Sequence, residues 1–263
     1  MKRYVEDILL DSDGRILFDN KYGPLIVGRY EMARLVWDTI GEHFYETGID
    51  HVVLYPVANN GTYPEGVAWN GVTSISESPS GADANKQWAD NMNYLTLYSA
   101  EEYGSTIEAF TYPDEFMACD GTVALTSGVY VGQQPRKGFG LSYRTKVGND
   151  TVGEDLGYKL HLVYGCRAAP SERGYETVND SPEAITFSWE ITTTPVIIPN
   201  HKPSALLTID SRDFTETTAA AHLKALEDVL YGGDNTEARL PLPNEVVYIL
   251  TGQTITGETG YTG

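Results

Sequence analysis

Apolar and polar residues alternate through most of this chain, in short runs closed by turn residues. Val52 to Val57 is an apolar run that stops at Asn59-Asn60-Gly61, a cluster that favours a turn. Val67 to Ser76 alternates around Asn70-Gly71 and fits a hairpin or a bulged strand. Tyr94 to Ser99 and Thr106 to Tyr112 alternate as well, the second closed by Pro113-Asp114. Thr122 to Val131 and Phe139 to Val147 flank Gln133-Gln134-Pro135-Arg136-Lys137-Gly138, which reads as a hairpin loop. Between Tyr158 and Tyr164 the period of two sets Leu160, Leu162 and Tyr164 on one face and Lys159, His161 and Val163 on the other. Ile185 to Ile198 is a long strand candidate with Phe187, Trp189 and Ile191 inward, stopped by Pro195 and Pro199.

Two stretches depart from that period. Ser80-Gly81 opens a short helix-compatible segment from Ala82 to Met92. A second helix, over residues 213–231, follows a strand at Ala205 to Ile209. Asp213 and Glu216 have the capping-box spacing, Gly232-Gly233 stops the helix, and Ala219, Leu223, Leu226 and Leu230 form one apolar stripe. Glu227 and Asp228 fall on the other side, and Val246 to Leu250 gives a last strand.

The predicted organisation is therefore an N-terminal extension or arm (1–31), a mainly β domain (32–250), and a Gly/Thr-rich tail (251–263). The extension holds a turn at Asp11-Ser12-Asp13-Gly14 and short apolar pieces, Ile16-Leu17-Phe18 and Leu25-Ile26-Val27. The tail has too little apolar content to pack alone. There is no internal repeat.

The chain has 263 residues, enough for one large β domain or two smaller ones with a full core. Eighteen Tyr and 26 Gly lean toward strands and tight turns. No apolar run approaches the ~20 residues needed to span a bilayer. Met1-Lys2-Arg3-Tyr4-Val5-Glu6-Asp7 turns acidic before any apolar segment, which does not read as a secretory signal. Cys119 and Cys166 lack a CxxC partner and are expected as buried, reduced thiols of a protein made in a reducing cytoplasm. The Asn60-Gly61-Thr62 and Asn149-Asp150-Thr151 sequons then read as chance matches.

Charge changes the picture. The net charge is −19, which argues against a nucleic-acid binder. Between Arg34 and Arg136 there are fourteen acidic side chains and one basic one, Lys86. From Arg136 to Arg173 the balance reverses, with seven Lys/Arg against four Asp/Glu. Such segregation gives a folded subunit faces of opposite sign. It suits a surface past which DNA slides without sticking, and equally a solubilising exterior.

Catalytic motifs are absent. Gly148 to Gly153 has P-loop glycine spacing but continues into Glu154, whose charge repels phosphate. Gly140-Leu141-Ser142-Tyr143-Arg144 lacks the last glycine of a hydrolase elbow. The His residues at 43, 51, 161, 201 and 222 form no HxH or HxxxH, so no metal cluster is expected. Glu101-Glu102 and Asp114-Glu115 have the residue types of a glycosidase pair. Adjacent acids are expected by chance among 37, and nothing separates two carboxyl environments. Trp69, Trp88 and Trp189 are expected to fill a core rather than a sugar-binding platform. No enzyme, cofactor or metal is expected.

A block of phrases carries a resemblance. Val67-Ala68-Trp69-Asn70-Gly71-Val72-Thr73 leads into Glu77-Ser78-Pro79-Ser80-Gly81-Ala82-Asp83-Ala84-Asn85. Ala89-Asp90-Asn91, Tyr94-Leu95 and Ser99-Ala100-Glu101-Glu102-Tyr103-Gly104 follow, then Ile107-Glu108-Ala109-Phe110-Thr111-Tyr112-Pro113-Asp114-Glu115-Phe116. Gly132-Gln133-Gln134, Tyr143-Arg144-Thr145-Lys146, Gly148-Asn149-Asp150, Gly157-Tyr158-Lys159-Leu160-His161 and Asn179-Asp180-Ser181-Pro182-Glu183-Ala184 continue it. Ser188-Trp189-Glu190, Thr192-Thr193-Thr194-Pro195, Lys202-Pro203, Ile209-Asp210-Ser211, Leu230-Tyr231-Gly232 and Arg239-Leu240-Pro241-Leu242-Pro243-Asn244-Glu245-Val246 complete it. From about Met32 to Leu250 the chain resembles the major tail proteins of long-tailed bacteriophages. The Met32-Ala33-Arg34-Leu35 phrase matches where such proteins begin, so residues 1–31 and the end of the chain lie outside the resemblance.

The resemblance implies a non-enzymatic β-sandwich or barrel with one flanking α-helix. It implies subunits that join in a ring of six, and rings that stack into a tail tube for genome passage. Partners would be further copies, other tail proteins at the tube ends, and the tape measure protein and DNA in the lumen. The setting would be the virion tail, assembled in the host cytoplasm, with no membrane. Glu101, Glu102, Glu108, Asp114 and Glu115 are candidates for an acidic lumen. Arg136, Lys137, Arg144 and Lys146 are candidates for contacts between subunits. A carbohydrate-binding or surface-attachment β module is the alternative, favoured by the tyrosines and sequons.

Overall fold

A computed structural model describes residues 4–8, 18–19, 23–24, 26–31, 43–81, 83–175, 177, 180, 184–233 and 236–253. The turn expected at residues 11–14 and the tail from residue 254 lie outside the described residues. The chain divides into two units, Met1–Tyr45 with Asn149–Gly153, and Glu46–Gly148 with Glu154–Gly263. In the first, β1 (Tyr4–Ile8) is antiparallel to β4 (Ile26–Glu31), and β2 (Phe18–Asp19) pairs with β3 (Gly23–Pro24). His43 joins the 149–153 turn there, its ring 2.9 Å from the Asp150 carboxylate.

The second unit is built on β5 (Phe44–Pro56), β6 (Val67–Ala68), β7 (Val72–Glu77), β8 (Ser80–Gly81), β9 (Ala84–Ala89), β10 (Met92–Tyr98), β11 (Glu101–Glu102) and β12 (Gly104–Ala109). The strands β13 (Val123–Thr126), β14 (Val129–Val131), β15 (Phe139–Asn149), β16 (Gly153–Ala168), β17 (Phe187–Thr193) and β18 (Leu206–Asp210) follow. Two helices end it, α1 (Thr217–Tyr231) and α2 (Pro243–Thr251).

The fold is mainly β. One sheet runs β6-β5-β15-β16-β17-β12-β7, with β18 also on β16. Its two end strands are separated in sequence only by residues 69–71, a reach of about 14 Å at full stretch. The sheet must therefore curl until its ends nearly meet, which makes it an incomplete barrel. Trp69 N–H donates to Val52 O at 2.8 Å and Phe110 N–H to Gly71 O at 2.9 Å, tying the short link to strands on both sides of the gap. The alternation at 67–76 is thus not a hairpin, because β6 pairs with β5 and β7 with β12.

Period-two alternation sorts side chains between two cores. Val52, Leu54, Ile107, Ala109, Leu141, Val163, Trp189 and Ile191 fill the barrel, with Trp69, Phe116 and Phe139. Val53, Tyr55, Leu160, Leu162 and Tyr164 point outward, where Leu223, Leu226 and Leu230 of α1 and Val246 of α2 cover them. The face read from Leu160, Leu162 and Tyr164 is this helix-covered one. Val163 and His161 opposite are buried too, so both faces of β16 are covered there. The Gly165 bulge (φ 62) lets Cys166 and Ala168 face the barrel as well; a Cβ at that glycine would lie 2.2 Å from Thr194 O. Buried phenols tie the layers together. Tyr55 donates to Leu230 O at 2.8 Å and Tyr164 to Pro241 O at 2.9 Å.

Several sequence expectations change. Ala84–Ala89 is a strand, not part of a helix, because Asp90 and Asn91 both take positive φ (51° and 61°) and turn the chain straight back into β10. Residues 243–251 are a helix, not a strand. Pro243 occupies its first turn and Gly252, at φ 69, closes it, so the flanking signals outweigh the β-branched Val246-Val247. Among the described residues two helices, α1 and α2, accordingly flank the sheet. α1 starts after Glu216 with no side-chain cap, while Asp213 belongs to a separate 3-10 turn. Glu227 is half-buried and accepts from the Tyr158 hydroxyl at 2.6 Å. The strand expected to reach Ile198 stops at Thr193. The 133–138 loop does not close a hairpin, since β13 pairs with β14 and β15 lies in the main sheet. Both cysteines are buried and free, as expected, and burial raises both thiol pKa values, that of Cys119 to about 12.

Candidate functional site

The edge strand β7 and its neighbour β12 are joined past the barrel by one long hairpin, residues 80–102. β8 pairs with β11 and β9 with β10, each as a separate two-stranded sheet. Gly81 (φ 85) makes the root, where a Cβ would lie 2.2 Å from Ala100 O. Opposed residues in an antiparallel pair share a face, which assigns the side chains. Ala89, Gln87 and Asn85 lie with Met92, Leu95 and Leu97 on one face, and Trp88, Lys86 and Ala84 with Asn93, Thr96 and Tyr98 on the other. Tyr94 occupies the bulge between Asn93 and Leu95.

Neither face is covered by the described residues. Trp88 is 69% exposed, Tyr94 72% and Tyr98 71%, and Met92, Leu95 and Leu97 are exposed beside them. A two-stranded hairpin is marginal in water by itself, and contiguous exposed apolar surface marks an interaction site. The short hairpin β13–β14 repeats the pattern, exposing Val123, Leu125, Val129 and Tyr130.

Residues 74, 76, 106, 108, 188 and 190 form a third surface, on the outward side of β7, β12 and β17. Ile107 and Trp189 point into the core, so by alternation Ser74, Ser76, Thr106, Glu108, Ser188 and Glu190 point away from it. These six side chains are hydroxyls and carboxylates, with Ser74 donating to Glu108 at 3.0 Å, and exposed Arg167, opposite Thr192 of β17, borders them on the same side. Glu101 and Glu102 are exposed at the hairpin root, and Asp114 and Glu115 are exposed in a 3-10 turn past the other end of β12. The five acids thus line β12 from end to end without converging on one point.

The basic candidates are mostly engaged within the chain. Arg144 grips Asp50 with both arms, at 2.6 and 2.9 Å, and lies 4.7 Å over the Tyr158 ring. That guanidinium holds the Asp50 carboxyl below its usual range. Arg136 donates to Ala168 O at 3.0 Å and sits 3.6 Å from buried Asp120, which Arg173 also contacts. Lys146 is 3.4 Å from Glu154, and Lys137 is exposed.

A polar network closes the barrel at the hairpin end. Tyr143 donates to Glu77 at 2.6 Å, Tyr103 is 3.4 Å from Tyr143, and the His161 ring stacks on Tyr143 at 4.6 Å. His161 Nε2 lies 3.0 Å from Thr145 Oγ1, while its buried Nδ1 has no hydrogen-bond partner. Burial holds the imidazole below its ordinary pKa and pushes Tyr103 up to about 12. Thr145, His161 and Glu77 have the types of a hydrolytic triad. His161 Nδ1, however, stands 4.0 Å from the carboxylate, beyond hydrogen-bond reach. Thr145 and His161 lie on the neighbouring strands β15 and β16, whereas Glu77 comes from β7, which pairs with neither, and nothing in the sequence links the three positions.

An open pocket of about 550 Å³ lies beside Asp50, His51, Trp69 and Tyr231. Its carboxylate is already taken by Arg144 and by the His51 ring at 3.0 Å. Among the described residues no group of three or more His, Cys, Asp or Glu is placed to hold a metal ion. No helix there is long and apolar enough to cross a membrane. Trp69 and Trp189 are core residues, and only Trp88 of the three singled out faces solvent.

No family model matches this sequence, and no curated protein matches it. Among solved structures it is similar to a chain of the 6-fold symmetrised cryo-EM structure of the anti-feeding prophage (AFP) baseplate. The TM-score is 0.31 at 9% identity, over 62% of this chain and 95% of that one. A likeness at that level carries no argument about fold or role.

Proposed function

We propose that this chain is a structural subunit of a phage tail tube, assembling into rings of six that stack around a channel for the genome. The long hairpin is the observation that carries the reading: it exposes six large apolar side chains and has no core of its own, as a surface made to be covered by assembly would. The resemblance from Met32 to Leu250 supports it, as does the outward face of β7, β12 and β17. A wall for DNA needs carboxylates and small hydroxyls and no cations, because each bound phosphate would hold the genome back. With a Debye length of about 8 Å at physiological salt, only charges on the wall itself act on DNA. Negative-stain images of the purified protein should show rings or tubes, and monomers at every concentration would overturn the reading. Assemblies should leave duplex DNA unretarded in a gel, whereas Glu108→Lys/Glu190→Lys assemblies should retain it.

A second reading is a carbohydrate-binding module. Trp88 and Tyr98 share an exposed face with Asn93 and Thr96, the pairing of rings and polar groups that sugars use. Quenching of Trp88 fluorescence by oligosaccharides at millimolar concentration or below, with no assembly, would favour it.

A further inference from the structure

We propose that the long hairpin of one copy seats on the short β13–β14 hairpin of a second copy, so that copies join head to tail. The inference rests on the assembly reading and adds which two surfaces meet. Strand registers place the two hairpins at opposite ends of the barrel. β12 leaves the long hairpin at Gly104 and ends at Ala109, opposite Thr192 and Phe187 of β17 respectively. Residues 110–122 then lead from the Ala109 end into β13, and β14 returns through Lys137, whose N–H bonds Ala118 O at 3.1 Å, to β15. Val57 N–H reaches Gly138 O at 3.1 Å, which sets the Pro56 end of β5 beside the segment that follows the short hairpin. Glu77, Gly104 and Thr193 mark the other end, where the long hairpin departs.

The two surfaces suit each other. Both are apolar hairpins that form separate two-stranded sheets, so each leaves its apolar side chains to be covered from outside the chain. Their charges are opposite. The described part of residues 80–102 carries Asp83, Asp90, Glu101 and Glu102 against Lys86, whereas the base of the short hairpin presents exposed Lys137, with Arg136 beside it engaged by Ala168 O and Asp120. Asp114 and Glu115 precede the short hairpin on the same end and mark the limit of the favourable surface. Because the meeting patches differ, the contact is heterologous, and repetition extends it without closing on a pair.

Cysteine cross-linking tests this directly. Leu95→Cys and Leu125→Cys alter exposed positions, and the buried native thiols stay unreactive. Leu95→Cys protein, Leu125→Cys protein and their mixture are oxidised, while sedimentation of the unmodified protein records whether it assembles. A covalent dimer in the mixture, absent from either variant alone, is expected. Oligomers in sedimentation without that dimer would overturn the docking and leave the assembly reading standing. Dimers of Leu95→Cys alone would replace head-to-tail docking by contact of two long hairpins. A protein that sediments as a monomer at all concentrations would overturn both.

Discussion

Leu226 and Leu95 are the same side chain in opposite circumstances. Leu226 lies between α1 and the outward face of β16, fully buried, while Leu95 stands on the long hairpin with nearly half its surface in water. The helix-covered side satisfies its apolar residues within the chain, through two helices and the phenols of Tyr55 and Tyr164. The long hairpin leaves six large apolar residues, Trp88, Met92, Tyr94, Leu95, Leu97 and Tyr98, exposed. One region is built to fold and the other to be completed from outside. Burial rather than composition tells them apart.

The largest expected effect is on the covered side. Leu226→Ala should cost about 2–5 kcal/mol, the loss of buried methyl groups plus the cavity they leave. Chemical denaturation of the dilute protein would measure it, and an unchanged midpoint would show that α1 does not seal the outward face of β16.

Next in size is the polar network where barrel and hairpin meet. Burial depresses the His161 pKa, so the folded state holds the ring neutral while the unfolded chain titrates near 6.5. Protons therefore bind the unfolded state more readily. Stability should be complete above about pH 6.5 and fall as pH drops below it, by at most ~1.4 kcal/mol per pH unit, until the folded ring also titrates. Glu77 and Glu46 oppose the shift and Lys159 adds to it, so the slope should be shallower than that limit. Unfolding midpoints at pH 7.5, 6.5 and 5.5 in wild type and His161→Gln should differ in slope. Parallel lines would remove His161 from the account.

The same contrast explains what was legible in the sequence. The stripe Leu223, Leu226 and Leu230 and the alternation at 158–164 were readable because each face has one environment, which periodicity reports directly. The long hairpin was misread over 84–89 because both its faces are exposed, so no apolar period marks a strand, and its turn is Asp90-Asn91 rather than a glycine pair. α2 was misread because Val246-Val247 and Ile249 favour strands locally, while the helix is set by Pro243, Gly252 and packing on the outer core. The acids along β12 could be named from charge alone. The Arg144–Asp50 and Arg136–Asp120 pairings could not, because the first joins strands 94 residues apart and the second joins two loops that meet only in the fold.

The smallest effect on stability, and the one that most sharpens the comparison, belongs to the long hairpin. Leu97→Ser removes an apolar side chain as large as that of Leu226, yet should change the unfolding free energy of the monomer by no more than about 0.5 kcal/mol, as for surface positions generally. Leu97 is half exposed and faces Asn85 across the pair, so no cavity forms and no buried group loses a partner. The consequence should appear in association instead, because Leu97 shares its face with Met92 and Leu95. Sedimentation across a concentration series should show weaker assembly for Leu97→Ser at unchanged monomer stability. A loss of several kcal/mol in the monomer would mean that the hairpin packs on its own chain, and the division between a region that folds and one that is completed by a neighbour would fail.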